Sequence, residues 1–295
     1  MIPAMPKLLH SGKVRDTYQG LQGNLTVVAS DRISTYDAVH PTPIPGKGVA
    51  LTHMTNHWLT DTPVASIIPN HLISANPLVI PYWALKEGLA GRTMLVRQLN
   101  MLPVEAIVRG YLTGSGWKDY QRTGFVSGVE LPAGMQEREK FGEPIFTPST
   151  KAEIGHDENV DFELMVRLLN GNRELAERVR QASLDIYAAG AVYALERGII
   201  LVDTKFEFGL DPETGELILA DEVLTPDSSR YVDVDDWEVG KSPVSMDKQY
   251  VRDWASSTGW NKKPPAPEIP DDIVAETIKL YGNVSARLTG TNPLA

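Results

Sequence analysis

Cysteine is absent from the 295 residues. That excludes disulfides and thiolate metal sites. Long apolar runs are missing as well, and no stretch approaches the roughly 20 residues of a membrane span. The opening residues, MIPAMPKLLHSGK, lack the apolar core of a secretory signal. Positive charge is scarce: 28 Lys and Arg stand against 38 Asp and Glu, a formal net charge of −10. General nucleic-acid binding needs a basic face, so the charge argues against that class. Neither a nucleic-acid nor a membrane partner is expected, and a reducing cytoplasm fits a chain without thiols. A local cluster of Lys and Arg can still hold a small anion, and the carboxylates would welcome a metal cation. The six histidines show no HExxH spacing. His53 and His57, four residues apart, read as packing or surface residues. No internal repeat and no low-complexity segment occurs.

What remains is ordinary globular composition, 42% hydrophobic and 22% charged. The length suits two lobes, at about 100–200 residues per domain. KLLHSGKVRDTY and NLTVVASD read as strands around the turn QGLQGN. GVALTHMTNHWL reads as a helix with Leu51, Met54, Trp58 and Leu59 on one stripe. TMLVRQLNMLPVEAIVRGYL reads as two strands broken at Pro103. SGWKDYQRTG is a short helix with Ser115 as its N-cap. Residues 121–158 look like loops or hairpins. Leu175, Val179, Ala182, Ile186, Ala189 and Tyr193 mark one helical face, with Gly198 as its C-terminal cap. KKPPAPEIP is a proline-rich strap before a last helix, DDIVAETIKLYGNVSARL. The lobe boundary is expected within residues 100–120, and we set it at 110/111. That gives a β-rich N-terminal lobe, residues 1–110, and an α+β C-terminal lobe, residues 111–295.

The stretch VDTKFEFG, Val202–Gly209, carries charges at every second position. Side chains alternate along a strand, so Asp203, Lys205 and Glu207 share one face while Phe206 and Phe208 face a core. Burying such charges costs several kcal/mol unless they pair or bind something. The turn LDPETGE leads into a second strand, LILADE. If Leu210 faces Glu216, then Lys205 faces Asp221, and one hairpin face gathers all four charges. Such a face can hold Mg²⁺ on nucleotide phosphates. It can equally be a solvated ladder of cross-strand ion pairs.

Three further stretches point toward anions. In HSGKVRDTYQG, Gly12 lets the backbone approach a phosphate, and Lys13 and Arg15 point to one side. The stretch lacks the GxxxxGK[ST] pattern, and an ordinary hairpin turn has the same composition. In VRGYLTGSGWKDY, Arg109 precedes a glycine-rich helix start suited to phosphate. In LTPDSSRY, Asp227 and Arg230 form either a salt-bridged turn or ligand contacts at the mouth of the same site.

Eight stretches in order resemble the phosphoribosylaminoimidazole-succinocarboxamide synthase (SAICAR synthetase) family: SGKVRDTY, ASDRISTYD, PIPGKGVALTHMTNHW, MLPVEAIVRGYLTGSGWKDY, PIFTPSTKAEIGHDEN, ILVDTKFEFGL, LADEVLTPDSSRY and SMDKQYVRDW. The length and the FTPSTKAE form resemble its longer, yeast-like branch. The resemblance implies an α+β fold of two lobes, related to kinases and ATP-grasp enzymes, with ATP between them. It implies a ligase of purine biosynthesis that joins the imidazole carboxylate ribonucleotide CAIR to L-aspartate and converts ATP to ADP and phosphate. By motif, Gly12, Lys13, Val14 and Arg15 fall in the phosphate loop, and Val96–Met101 in the linker touching adenine. Arg109, Ser115 and Arg230 fall where the family binds the ribonucleotide. Glu207 and Asp221 fall at its Mg²⁺ positions, with Lys205 beside them as the catalytic lysine. Met246 stands where relatives usually have an aromatic, beside Asp247 and Lys248. Small molecules are the expected partners and a monomer the expected state. Two other readings are a small-molecule kinase and a nucleotide-binding regulatory module without turnover.

Overall fold

The computed structural model describes residues 6–20, 22–151, 158–241 and 244–295. AEIGHD at 152–157, inside one family-like stretch, lies outside the described residues. The N-terminal part forms an antiparallel sheet of β1 (Leu8–Ser11), β2 (Arg15–Gln19), β3 (Leu25–Ala29), β4 (Leu72–Ser74) and β5 (Thr93–Val96), in the order β1-β2-β3-β5-β4. Helix α1 (Lys47–Thr60) buries Leu51, Met54, Trp58 and Leu59, the stripe read from the sequence. It starts hard against β3. A Cβ on Gly48 would overlap the Ala29 carbonyl, so only glycine allows this approach.

The second sheet is seven-stranded. Its main members are β6 (Val104–Tyr111), β7 (Lys140–Phe146), β8 (Ile199–Leu210), β9 (Leu217–Ala220) and β10 (Ser229–Asp233). β8 is the middle strand. At Thr204 it pairs with Val108 on one side and Ser229 on the other. At Leu210 it pairs with Asn100 and with Leu217. β7 lies within the stretch expected to be loops or hairpins. Its Pro144 is tolerated because β7 pairs only with β6, at the edge of the sheet. Val96–Met101 carries the chain from the first sheet to the second. The 110/111 boundary therefore falls inside β6, because the change of sheet comes before Pro103.

Helix α2 (Gly114–Thr123) follows β6, and α3 (Arg173–Leu195) covers β8. Phe206 and Phe208 are buried in the core under α3 with Val179 and Ile186. α3 ends at a Glu196 cap rather than at Gly198. Gly198 instead takes a left-handed φ of 70° in the turn into β8. Helices α4 (Gln249–Ser257) and α5 (Asp271–Thr289) complete the chain. α5 packs on α1, and Ile33 and Ile44 share a core with Val251 and Ile269. The strap is tied down as well: His40 Nδ1 lies 2.8 Å from the Pro267 carbonyl, and the Ile269 N–H donates to Thr42 Oγ1 at 2.9 Å. The C-terminal tail thus closes over the N-terminal part. Among the described residues, no helix is long and apolar enough to cross a membrane.

One contact between α3 and the sheet is tight enough to test. Tyr187 Oη donates to the Leu201 carbonyl at 2.7 Å. A Cβ on Gly110 would overlap that hydroxyl and lie 2.9 Å from Tyr187 Cζ. Gly110→Ala should lower stability by about 1–3 kcal/mol through overpacking. Urea unfolding measures the loss, and the same substitution should cost less in a Tyr187→Phe background, where the nearest atom is gone.

Candidate active site

Strand register builds the centre of the site. Asp203 on β8 has Arg109 of β6 as its neighbour on one side and Arg230 of β10 on the other. Arg230 grips the carboxylate with two nitrogens: Nε donates to Oδ1 at 2.8 Å and Nη2 to Oδ2. Arg109 Nη1 donates to Oδ2 at 3.1 Å, its Nε to Thr147 Oγ1 at 3.0 Å, and its Nη2 to Ser115 Oγ at 3.2 Å. Burial disfavours every charge here. For Asp203 the two arginines outweigh it and hold the carboxyl below the usual range. Arg230 is raised by its bidentate partner, whereas burial wins at Arg109, which shares the carboxylate through one nitrogen only. Asp227 is not the partner of Arg230, as a local turn would have it. The strand pairing takes Arg230 to Asp203 instead.

These arginines stand at the start of α2. Thr113 is the N-cap, with φ −141° and ψ 166°, and its hydroxyl makes no capping bond. Ser115 is inside the helix, so its expected role as N-cap is corrected; it accepts from Arg109 instead. The Thr113 hydroxyl is buried without a hydrogen-bond partner among the described residues. Arg230 Nη1 crowds Gly114, where a Cβ would come within 2.7 Å of it. Free helix N–H groups, two guanidinium groups and an unpartnered hydroxyl suit a phosphomonoester.

Two positions further along β8, Lys205 pairs with Glu105 of β6 and lies 3.6 Å from Glu207 Oε1. Glu207 in turn pairs with Lys151. Burial works against the Lys205 charge, but Glu105, Glu207 and Asp221 together raise its pKa. Burial likewise opposes the Glu207 charge, yet Lys205 and Lys151 lower its pKa. Glu105 was not foreseen. Its signal lay in VEAIVRGY, where Glu105, Ile107 and Arg109 alternate with the core residues Val104, Ala106 and Val108.

The expected hairpin register is corrected by one residue. Leu210 faces Leu217, and Glu207 faces Ala220. Asp221 therefore lies past the ladder and is not opposite Lys205. It takes a left-handed φ of 56°, and its carboxylate nevertheless stays among the same charges. Arg15 Nη1 reaches Asp221 Oδ2 at 3.2 Å, and Arg15 Nη2 reaches Glu222 Oε2 at 2.5 Å. Burial opposes the Arg15 charge, and these two carboxylates overcome it. His71 is buried beside Asp221 and is pushed down to about 4 by burial, so it is neutral.

Arg15 opens β2, directly after the turn from β1, and closes the stretch read as a phosphate loop. The Gly12 N–H donates to the Arg15 carbonyl at 2.7 Å, closing the turn. Arg32 donates to the carbonyls of Gly12 and Lys13 at 3.1 and 3.2 Å, and the Ser30 hydroxyl to that of Val14 at 2.8 Å. Lys13 is half exposed and pairs with Asp37. Val96 is buried at the end of β5, and Met101 is largely exposed opposite Gly209.

A second unforeseen cluster lies behind this one. Lys47, wholly buried at the start of α1, has its Nζ 2.7 Å from Asp227 Oδ2. Tyr281 of α5 donates to Asp227 Oδ1 at 2.7 Å, and Lys248 Nζ lies 3.8 Å from Oδ2. Despite burial, Lys248 and Lys47 hold the Asp227 carboxyl far below its usual range. Met246 is buried in the main core, so the missing aromatic leaves an apolar filling. Asp247 accepts from the N–H groups of Tyr231 and Gln249 at 2.7 and 2.6 Å. It thereby fixes the start of α4 to β10. Among the described residues, no group of three or more His, Asp or Glu side chains is arranged to hold a metal ion.

Asp203→Ala leaves two buried guanidinium groups without their carboxylate and should cost about 3–5 kcal/mol. Removing Glu238 from its exposed pair with Lys241 should change stability by only about 0–1 kcal/mol. The pKa of Asp203 is lowered on folding. Its contribution is therefore present above the unfolded value of about 3.9 and lost as pH falls through the folded value. Urea midpoints between about pH 5 and 2 should accordingly fall more steeply for the parent chain than for Asp203→Ala.

The chain as a whole is similar to known proteins. Residues 8–267 match the profile of SAICAR synthetase. The chain is 51% identical over 286 residues to the phosphoribosylaminoimidazole-succinocarboxamide synthase of Methylobacillus flagellatus, covering 96% of this chain and 95% of that one. It is 50% identical over 282 residues to the enzyme of the same name from Neisseria meningitidis, covering 95% and 96%. Among solved structures, the SAICAR synthase of Saccharomyces cerevisiae complexed with SAICAR superposes with a TM-score of 0.87 at 40% identity, covering 97% of this chain and 96% of that one. A Pyrococcus horikoshii SAICAR synthetase, at 22% identity and a TM-score of 0.68, shares the fold over 95% of this chain and 99% of its own. The chain belongs to the SAICAR synthetase family.

Proposed function

We propose that the charged face of β8 and the turn between β1 and β2 form the catalytic cleft for the family's reaction, the ATP-dependent ligation of CAIR and L-aspartate to SAICAR, ADP and phosphate. The observation that carries this reading is the juxtaposition of Arg15, from the first sheet, with Asp221 at the hairpin end beside Lys205 and Glu207. The lobes in this reading meet at Val96–Met101, the segment assigned to adenine, and the ATP phosphates lie over Gly12–Arg15. Lys13 exchanges Asp37 for a phosphate when nucleotide binds.

Arg109, Ser115 and Arg230 bind the ribonucleotide phosphate at the start of α2, with the Thr113 hydroxyl as a further donor. That end of β8 fixes the ribonucleotide, and the Lys205 end faces the nucleotide phosphates. A carboxylate is a poor acylating agent. Transfer of the γ-phosphoryl group to the CAIR carboxylate makes an acyl phosphate. The amine of aspartate attacks the acyl carbon, the C–N bond forms, and phosphate leaves with the C–O bond electrons. Such transfers ask the protein for positioning and fixed charge. Lys205, whose pKa is raised, stays protonated and offsets charge on the transferring oxygens.

Glu207 and Asp221 offer hard oxygen donors, which suits Mg²⁺. That ion takes one or two carboxylates and completes its shell with phosphate oxygens and water. When bound, it would offset negative charge on the triphosphate. Arg15, Lys151 and Lys205 already balance these carboxylates, so in this reading the ion arrives with the nucleotide.

The deciding experiment is ADP release with each substrate omitted in turn. Full rate should require ATP, CAIR and aspartate together. Equal release without CAIR would falsify the assignment. A second test concerns the metal. Glu207→Gln and Asp221→Asn should each lose activity with the fold intact, and excess Mg²⁺ should partly restore it. Their combined effect should be less than additive, as for groups acting on one ion. Near-normal rates at limiting Mg²⁺ would leave both residues as structural ion-pair partners without a metal role.

A further inference from the structure

Most cations of the cleft have carboxylates of their own. Arg15 has Asp221 and Glu222, and Lys47 has Asp227. Arg109 and Arg230 share Asp203. Two cations at the start of α4, the N-cap Lys248 and Arg252 in the helix, are different. Lys248, with its side chain 14% exposed, stands 3.8 Å from an Asp227 that Lys47 and Tyr281 already hold more closely. Arg252 is half buried, and its guanidinium makes no ion pair or hydrogen bond among the described residues. The two are one helical turn apart, on one face of α4, and the Arg252 N–H donates to the Lys248 carbonyl at 3.1 Å.

That face looks into the cleft. Arg252 lies within Coulombic reach of Asp203 and of Lys248, and Lys248 within reach of Glu222 and Asp227. The pair thus stands between the ribonucleotide cluster and the hairpin end. Its position is rigid. Asp247 holds the first turn of α4 to the Tyr231 N–H, one residue from Arg230, and the Lys248 N–H donates to the Pro226 carbonyl at 3.1 Å. Two adjacent cations short of counter-charge, one of them nearly buried, repel each other and favour a bound anion. Burial accordingly brings Lys248 down to about 8.

Three anions enter the proposed reaction, and two already have their cations. The phosphomonoester has Arg109 and Arg230, and the triphosphate has Lys13 and Arg15. The amino acid brings two carboxylates, and no cation has been assigned to it. We propose that Lys248 and Arg252 bind the carboxylates of the amino-acid substrate and so select a dicarboxylic amine. This rests on the ligase reading above, and the test separates the two.

Arg252→Gln is the main variant, because a half-buried helix position tolerates glutamine. Lys248→Met is the second. Steady-state rates would be measured with aspartate, CAIR and ATP varied in turn, and with L-alanine replacing aspartate. Arg252→Gln should raise KM for aspartate on the order of 10–100-fold, as expected for one lost charge-assisted contact. KM for CAIR and ATP should stay within about twofold, and kcat at saturating aspartate within a few-fold. The preference for aspartate over alanine should shrink, and Arg252→Lys should recover part of the aspartate affinity. A purely structural role would not split KM for one substrate from the other two. An unchanged aspartate KM in Arg252→Gln overturns the proposal, whether or not Lys248→Met folds. A CAIR KM that rises as much as that for aspartate also overturns it, by giving the pair to the ribonucleotide. If the parent chain consumes no aspartate, the ligase reading itself fails and takes this site with it.

Discussion

A carboxylate buried between two guanidinium groups sets the geometry of the whole site. Asp203 can hold both Arg109 and Arg230 because β8 is the middle strand and offers a neighbour on each side. An edge strand has only one paired neighbour, so it could not do this. Once the three charges are buried together, none can leave without stranding the others. That fixes the mutual register of β6, β8 and β10. It also aims Arg109 at Ser115 and Arg230 at Gly114, so the start of α2 inherits its position from the sheet. The same alternation then places Lys205 and Glu207 on the same face, with Glu105 of β6 paired to Lys205. The spacing between the two proposed anion sites is a spacing along one strand.

Arg15 does for the two sheets what Asp203 does within one. It is carried by the first sheet, and its carboxylates lie just beyond β9 in the second. Its charge is buried, so the start of β2 that carries it must meet the end of the hairpin. A left-handed residue at Asp221 makes this possible, by turning the chain at the point where the ladder stops. Asp227 extends the pattern, drawing Lys47 of α1, Tyr281 of α5 and Lys248 beside α4 to one carboxylate. Elements far apart in sequence are thus held by charges that tolerate burial only in company.

The parts of this that depend on local periodicity were legible in the sequence. The α1 stripe, the α3 face, the Phe206 and Phe208 core side and the Asp203–Lys205–Glu207 row all follow from spacings of three, four or two. The parts that depend on loop chemistry were not. The loop after β8 has six residues, closed by the Asp211 N–H to the Glu216 carbonyl at 2.9 Å. Asp211 Oδ1 accepts from the N–H groups of Glu213 and Thr214. Pairing Leu210 with Glu216 ignored this turn and slipped the register by one. Lys47 was illegible for another reason. A lysine at a helix start in PGKG looks solvated, and only the return of α5 and the Asp227 loop buries it. The cap was set two residues late, at Ser115, because Thr113 and Ser115 fit an N-cap equally well by composition.

The charges also limit which groups can move protons. A base works well when its pKa lies near the working pH. Lys205 is raised, and Asp203, Glu207 and Asp227 are lowered. All four therefore act as fixed charges across the neutral range. Asp247, raised to about 6 by burial, is nearer neutrality. Its oxygens, however, are taken by the Tyr231 and Gln249 N–H groups and the Ser245 hydroxyl. Lys248, at about 8, is mostly a cation at pH 7 and suits holding an anion better than accepting a proton. The site is consequently built to orient and to neutralise. That matches a reaction in which phosphorylation of the acid supplies the driving force, and the amine needs only to be held, unprotonated, against an activated acyl carbon.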